Sequence, residues 1–346
     1  MKKINYLIAA AAFAAISFSS CTKDIDYIPQ EPQTVPLTVK VGSVSTRASV
    51  TGTEDMTITN VQVIVYNDAG KLEKSTNLVS GQTQLTLDVL PGPKTVWAVA
   101  NIVGKISETA VPTPADLSAR ITDFNDNTIT KLTMSGYATK TVTLDDSELE
   151  MEIKHLASKV VIDGVKRDFE NKDYSSIPLT IKKIYMSNVA GKCSLGCEGE
   201  VPTVWYNKLG VIPVDLPSTV KALTVDDELS ESLPEGGSYN GQHTFYVYPN
   251  PCTEEVYGGT WSPRRTRLVL ECDYGGRTCY YPVTLPAGGT GTLQRNKVYH
   301  ISLLTLTKPG TTSPDDPHLV VSSTINFKVK INVSDWEGDN SYTEEY

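Results

Sequence analysis

The stretch Ile325-Asn326-Phe327-Lys328-Val329-Lys330-Ile331-Asn332-Val333-Ser334 alternates apolar and polar residues without a break. A period of two is that of a β-strand, in which successive side chains point to opposite faces. The stretch therefore predicts a strand with one buried and one solvated face. The apolar face consists of Ile325, Phe327, Val329, Ile331 and Val333.

Two interpretations of this terminal strand are open. In the first, it is an edge strand of the chain's own fold, and the polar tail that follows Trp336 is a frayed terminus. In the second, it is a donor strand that completes the sheet of another molecule. The main chain would then supply hydrogen bonds, and the alternate side chains would fill pockets. The pattern alone fits both.

Similar alternating segments recur along the chain, each ending at a turn signal. Val61-Val63-Val65 stops at the turn 67–70, and Leu85-Leu87-Val89 stops at Pro91-Gly92-Pro93. One short helix is predicted at about 114–121, because Thr113 is a good cap and a proline occupies the first helical position.

Short strands with scarcely any helix predict an all-β fold of antiparallel sandwiches. We predict two sandwiches, over residues 48–158 and 159–346. The Pro-, Ser- and acid-rich segment 202–238 is predicted to be a long surface excursion. The net charge of −9 argues against nucleic acid or an anionic membrane surface as a partner.

The first 47 residues predict two cuts. Residues 1–20 have the charged start, short apolar run and small-residue end of a secretory signal peptide, and Cys21 follows directly. A cysteine at this position is typical of a lipoprotein, so Cys21 is predicted to be lipidated. The alternative is an ordinary signal with an incidental cysteine. The second cut is predicted in a small, polar segment between Arg47 and Ala48.

A further β-like segment lies just before that second cut. Leu37, Val39 and Val41 alternate with Thr38 and Lys40. Cleavage after Arg47 would release this strand together with the anchor, as the segment 21–47. If the strand belongs to the first sandwich, its loss opens an apolar groove and an unpaired edge that another strand could fill. Such a contact does not close on itself and builds a filament.

Five cysteines follow Cys21, and the sequence does not decide whether they pair. Cys272 and Cys279 flank Gly275-Gly276, which predicts a hairpin with the two cysteines directly opposite. Cys193 and Cys197 are close together in a Gly-rich loop. Neither pair lies near a second CxxC motif, so no zinc site is predicted. These four residues are candidate disulfide cysteines.

No catalytic constellation can be assembled from the sequence. The histidines are scattered, and no nucleophile, zinc-protease or phosphate-loop motif is present. We predict that the chain is not an enzyme and needs no cofactor. A surface glycan-binding lipoprotein remains an alternative of another class, because tryptophans can stack on sugars. The tryptophans are Trp97, Trp205, Trp261 and Trp336.

Several short motifs, taken together in their order, resemble the fimbrillin family, the type V pilins of Bacteroidetes with FimA-like and Mfa-like major subunits. Besides the lipoprotein signal and Thr46-Arg47-Ala48, they are VQVIVY at 61–66, WAVAN at 97–101, MSG at 134–136, FYVYPN at 245–250, RNKVY at 295–299 and VSDW at 333–336.

The resemblance implies two transthyretin-like antiparallel β-sandwich domains and export as an outer membrane lipoprotein, acylated with palmitate at Cys21. It also implies cleavage after Arg47 by an arginine-specific protease and polymerisation into a cell-surface fimbrium by donor-strand exchange, with 325–346 as the donor segment. The implied partners are other copies of the chain and related pilin subunits. A tip or accessory adhesin of the same fimbria is the alternative to a stalk subunit.

Overall fold

The structure is a computed structural model and describes residues 33–43, 57–197, 199–253, 260–286, 292–315, 327–336 and 341–345. Within these ranges the chain is built mainly of β-strands, with two short α-helices, so the all-β prediction is confirmed. Neither of these helices is long and apolar enough to cross a membrane.

The described strands are numbered in chain order. The first twelve are β1 Val35–Ser43, β2 Asn60–Asn67, β3 Leu72–Ser75, β4 Val79–Ser80, β5 Gln84–Val89, β6 Gly92–Ala100, β7 Ile121–Asp123, β8 Met134–Val142, β9 Glu148–His155, β10 Ser158–Ile162, β11 Val165–Arg167 and β12 Leu179–Ser187. The others are β13 Val189–Ala190, β14 Lys192–Ser194, β15 Trp205–Tyr206, β16 Val225–Asp226, β17 Glu231–Ser232, β18 Ser238–Tyr239, β19 His243–Val247, β20 Arg267–Tyr274, β21 Arg277–Thr284, β22 Lys297–Leu306, β23 Phe327–Asp335 and β24 Ser341–Glu345. The helices are α1 Pro114–Ser118 and α2 Ser218–Thr224.

The largest sheet, sheet I, has the strand order β3-β2-β6-β8-β9-β1-β5, with β4 beside β2. The pairing of β1 with β9 is parallel, whereas β1 pairs with β5 in the antiparallel sense. Apolar side chains of β1, β5 and β9 share one core with those of β2, β6 and β8. The two ends of sheet I therefore face each other as the layers of a sandwich.

The outer face of β2 and β6 is also covered. Gln62 is fully buried, and its amide exchanges two hydrogen bonds with the backbone of Ile106, at 3.1 and 2.8 Å. The hydroxyl of Tyr66 donates to the carbonyl of Val111 at 3.0 Å. The chain segment after β6 therefore forms a further layer over sheet I, which explains why β2 is buried on both faces.

Helix α1 lies in that covering segment and is shorter than predicted. Thr113 and Asp116 form a capping box at the N-terminus of the helix. The Thr113 hydroxyl accepts from the backbone N–H of Asp116, and the Asp116 carboxylate accepts from the backbone N–H of Thr113. Leu117 is fully buried. The predicted start is confirmed, and the helix ends at Ser118 rather than at residue 121.

Two further sheets form the second apolar core. Sheet II has the order β18-β11-β22-β10-β19, with β23 on the other side of β22 and β24 outside β23. Sheet III has the order β16-β12-β20-β21, with β17 beside β12. Tyr299 and Ile301 of sheet II share a core cluster with Ile184, Leu270 and Tyr281 of sheet III.

The segment 202–238 contains more regular structure than its composition indicates. Helix α2 buries Val220 and Leu223, and β16 and β17 both pair with β12 of sheet III. His243 holds the end of this segment, because its Nδ1 lies 2.8 Å from the Asp226 carboxylate and its Nε2 lies 2.9 Å from the Tyr239 hydroxyl. Only a few apolar residues anchor the segment, which is why its polar composition is misleading.

Candidate functional site

Strand β1 carries the residues that the sequence places in a removable strand. Leu37 and Val39 are fully buried, and Val41 is 4% exposed. Val35, at 2% exposed, is a fourth anchor that the sequence analysis missed. Its signal was present, since Val35 continues the same period of two. The apolar face of β1 is therefore one residue pair longer than predicted.

The place of β1 in sheet I is internal. Leu37 lies opposite Leu87 on β5, and Val39 lies opposite Leu149 on β9. Backbone hydrogen bonds beyond the regular ladders also hold it, from Thr38 N–H to the Ser147 carbonyl at 2.8 Å and from Val41 N–H to the Thr83 carbonyl at 2.7 Å. Removal of β1 would therefore leave both β5 and β9 without their shared neighbour.

The outer face of β1 carries a surface charge cluster. Lys40 Nζ lies 2.9 Å from a Glu148 carboxylate oxygen and 3.8 Å from one of Glu150. The hydrogen bond from Lys40 to Glu148, together with the Glu148 charge, raises the pKa of Lys40. Exposed ion pairs of this kind contribute little to stability. Among the side chains of β1, those of the apolar face therefore contribute most to holding the strand in place.

Several predicted site residues lie outside the described residues. These are Cys21, Arg47, Ala48 and Ile325. Strand β1 ends at Ser43, so the predicted cut after Arg47 follows closely on the end of the strand.

Strand β23 carries the other predicted donor residues, and in this structure it lies within the chain's own sheet II. Ile331 and Val333 are fully buried, while Val329 and Phe327 are 4% and 6% exposed. The strand pairs antiparallel with β22 on one side and β24 on the other. The predicted alternation is confirmed, and β24 rather than β23 is the outermost strand.

Trp336 fixes the end of β23. Its backbone N–H donates to the Asn296 carbonyl at 3.0 Å. Its ring stacks on His155 with centroids 4.2 Å apart, and the ring of Tyr246 lies parallel at 5.9 Å. Since His155 is the last residue of β9, Trp336 links the C-terminal end of β23 to sheet I.

The structure brings both predicted cysteine pairs together. Cys272 on β20 lies directly opposite Cys279 on β21, across the turn at Gly275 and Gly276. The sulfurs of Cys193 and Cys197 lie 3.0 Å apart. All four are thiols in this structure. Proximity is therefore established, and pairing stays a prediction.

Comparison with known proteins identifies the fold. Residues 35–182 match the family described as major fimbrial subunit protein (FimA). The resemblance to the fimbrillin family is confirmed. The match begins at the first residue of β1 and extends into β12. It supports a fimbrial structural or adhesive role for the fimbrillin-like chain at the cell surface. No curated protein matches the sequence.

Solved structures share this fimbrillin-like fold. A candidate cell adhesion protein from Bacteroides eggerthii superposes with a TM-score of 0.63 at 20% identity, over 88% of this chain and 96% of the other. The fimbrilin FimA of Porphyromonas gingivalis gives 0.56 at 18%, over 88% and 98%. The tip fimbrial protein Mfa3 of the same species, truncated at its C-terminus, gives 0.52 at 16%, over 88% and 100%. At these identities the likeness shows the fold.

Arg295 is a linking residue of the fimbrillin-like fold that the sequence analysis did not single out. Its guanidinium donates to the carbonyls of Ser135 at 3.0 Å, Lys154 at 2.7 Å, His155 at 3.0 Å and Leu195 at 3.4 Å. A guanidinium group has five N–H donors in a fixed geometry, so a single arginine can bind several carbonyl oxygens at once. It joins β8 and β9 of sheet I to the turn after β14, an arrangement that no local pattern reveals.

The tryptophans offer little flat surface to a sugar. Trp97, Trp205 and Trp336 are each less than 10% exposed, and Trp261 packs edge-on against Trp205 with centroids 5.6 Å apart. Within the ranges that the structure describes, no group of three or more histidine, cysteine, aspartate or glutamate side chains could hold a metal ion.

Proposed function

We propose that the chain is a structural subunit of a type V fimbria. In this proposal it is exported as an outer membrane lipoprotein acylated at Cys21, cleaved after Arg47 by an arginine-specific protease, and polymerised by strand donation. The divisions at residues 48–158 and 159–346 are part of the same proposal. The observation that carries it is the correspondence between strands β1 and β23.

The two strands match in length and in pattern. Each has nine residues and buries four apolar side chains at alternate positions. In β1 these are Val35, Leu37, Val39 and Val41, and in β23 they are Phe327, Val329, Ile331 and Val333. A strand such as β23 therefore has the right number and spacing of anchors to occupy the place that β1 would leave.

The energy of burial explains why a place vacated by β1 would be filled again. Burying one such side chain is worth about 1.5 to 3 kcal/mol, so four anchors are worth about 6 to 12 kcal/mol. That is comparable to the whole stability of a typical domain, about 5 to 15 kcal/mol. An empty place between β5 and β9 would therefore not persist, and a neighbour's strand would fill it.

Before cleavage, both apolar strands have partners within one chain. Strand β1 lies in sheet I and β23 lies in sheet II, which gives the precursor no need of a partner. Donation of β23 takes a paired strand away from β22. For the exchange to be favourable, sheet I of the neighbouring subunit therefore has to bury at least as much apolar surface of β23 as sheet II does. A chain with both an occupied groove and a candidate donor fits a stalk subunit better than a terminal tip adhesin.

The test uses the chain from residue 22 to 346 and brief digestion with trypsin. We expect a stable 48–346 fragment that forms SDS-resistant ladders. Arg47→Ala should abolish both, whereas Arg277→Ala, at an exposed hairpin position, should change neither. Two deletion variants, one without residues 337–346 and one without residues 325–346, separate the role of β24 from that of β23. A chain that stays monomeric after clean cleavage refutes strand donation.

Lipidation is tested separately in cells. Labelled palmitate should enter the full-length chain and should be absent from Cys21→Ser. The matched control is Cys252→Ser, which keeps the residue after the signal intact. Equal labelling of all three chains would refute acylation at Cys21 without bearing on strand donation.

A further inference from the structure

The turn that follows β14 brings two cysteines together. Cys193 lies in β14 and Cys197 lies four residues later, with their sulfurs 3.0 Å apart. The backbone N–H of Cys197 donates to the Ser194 carbonyl at 3.0 Å, which closes the turn. A disulfide has a sulfur–sulfur bond of about 2.05 Å. Bond formation therefore needs only a small movement of the two side chains.

This turn is held in place by the surrounding structure. The backbone N–H of Leu195 donates to the Arg120 carbonyl at 2.9 Å, and that of Gly196 donates to the Ser118 carbonyl at 2.8 Å. The Leu195 side chain is fully buried. A Cβ atom at Gly196 would lie 2.0 Å from the Ser118 hydroxyl oxygen, so the close approach requires glycine. The proximity of the two sulfurs is thus enforced from outside the turn.

The two thiols are also accessible, and one of them, Cys197, is activated. Both are partly exposed, and both line a cavity of about 480 Å³ together with Arg295. The hydrogen bond from the Cys193 thiol lowers the pKa of Cys197; burial opposes this change, and the Arg295 guanidinium adds to it. The thiolate is the reactive form of cysteine in disulfide exchange. Cys197 is therefore the first nucleophile of the pair.

The second pair lacks both features. Cys272 is fully buried and Cys279 is 5% exposed. Burial raises the pKa of Cys272 well above its usual value and that of Cys279 to about 11. Although the two face each other across the hairpin, neither offers an exposed thiolate to an oxidant.

We propose that Cys193 and Cys197 form an intramolecular disulfide in the exported protein, made by exchange with the disulfide of an envelope thiol oxidase. The Cys197 thiolate attacks one sulfur of the oxidase disulfide and expels the other as a thiolate, giving a mixed disulfide. The Cys193 thiolate then attacks the Cys197 sulfur and releases the oxidase as a dithiol. The pair loses two electrons and two protons, and the oxidase gains them.

The bond would reinforce the junction between β14 and sheet I. The Leu195 carbonyl, inside the five-residue loop, accepts from the Ser135 hydroxyl at 2.6 Å and from Arg295. Fixing the loop keeps that carbonyl in place in the folded state and reduces the freedom of the unfolded chain. The inference rests on the export step of the proposed function alone, because its readouts do not depend on polymerisation.

The experiment uses the full chain exported to the cell envelope, with thiols blocked by iodoacetamide at lysis. Trypsin cuts after Lys192 and Lys208 and releases peptide 193–208, which contains Cys193 and Cys197 and no other cysteine. We expect this peptide to be two hydrogens lighter than the dithiol and to take up iodoacetamide only after reduction. Cys272 and Cys279 fall in the separate peptides 268–277 and 278–295, so their state is read in the same digest.

A second measurement tests the effect of the bond on stability. Reductant should lower the melting temperature of the wild type by a few degrees and should leave Cys193→Ser/Cys197→Ser unchanged. Cys272→Ser should keep the wild-type response to reductant. Alkylation of Cys193 and Cys197 without reduction, or a cross-link from either one to another peptide, overturns the proposal whether or not the chain polymerises.

Discussion

The contribution of β1 can be measured by changing its two faces separately. Leu37 is fully buried opposite Leu87, whereas the neighbouring Thr38 lies on the outer face, where its hydroxyl is 3.3 Å from that of Thr86. Leu37→Ala removes core atoms and leaves a cavity, which costs about 2 to 5 kcal/mol. Thr38→Ala costs within about 0.5 kcal/mol, as is usual for a surface position.

The assay is urea unfolding of the uncleaved chain. With a denaturant slope of about 2 to 3 kcal/mol per M, Leu37→Ala should lower the midpoint by about 1 to 2 M. Thr38→Ala should lower it by less than about 0.3 M. Equal midpoints for the two variants would refute the placement of β1 in the core of sheet I.

The same variants report on strand release after cleavage at Arg47. If β1 dissociates, the cleaved Leu37→Ala and wild-type fragments are the same molecule and have the same urea midpoint. Release should also be easier from Leu37→Ala, since a loss of 1.4 kcal/mol corresponds to about a tenfold change in equilibrium. Ladders should therefore form faster from this variant. Persistently different midpoints after cleavage would mean that β1 stays bound and is not exchanged.

Three other perturbations test the surrounding structure. Lys94 is 5% exposed, and its Nζ lies 2.9 Å from the Glu73 carboxylate. Glu73→Ala should cost about 3 to 5 kcal/mol of stability in urea unfolding, because it leaves this buried charge without its ionic partner. The double variant Glu73→Ala/Lys94→Met should recover most of the lost stability. Trp336→Ala should cost about 3 to 5 kcal/mol and Trp336→Phe much less, by the same assay, because the ring is 8% exposed. Burial acts to raise the pKa of Asp163, but hydrogen bonds from Gln242 and His300 lower it overall. The ionised form of Asp163 therefore stabilises the fold above the unfolded pKa of about 3.9, and this stabilisation is lost as the pH falls through the lower folded pKa. Asp163→Asn should therefore be less stable than wild type at pH 7, and the urea midpoints of the two chains should converge as the pH falls through the lowered folded pKa of Asp163.

Local patterns in the sequence predicted local structure well. The alternation at Leu37, Val39 and Val41 identified a strand with one buried face, and Gly275-Gly276 predicted that Cys272 and Cys279 would face each other. Thr113 marked the start of α1 because a cap acts over only three residues. In each case the cause and its effect lie within a few residues of one another, so a single sequence contains both.

Other features depend on residues far apart in the chain. Gln62 reads as the polar side of a strand, and it is buried because the segment around Ile106 covers it. The contacts of Arg295 with four carbonyls depend on how β8, β9 and β14 meet. The segment 202–238 is polar overall, yet Val220 and Leu223 are enough to anchor α2. Long-range packing decides all three, and a local period carries no information about it.

The order of strands in sheet I is the feature with the greatest consequence for the proposed assembly, and it too is long-range. A removable strand at the edge of a sheet would leave one open ladder, and a replacement would be held on one side only. Strand β1 instead lies between β5 and β9, antiparallel to one and parallel to the other. Its removal would open two ladders that face each other across a line of apolar pockets. A strand that enters there would gain main-chain hydrogen bonds on both sides as well as buried anchors. Two-sided pairing makes departure slow, because both ladders have to break together, and that is the property a filament joint needs.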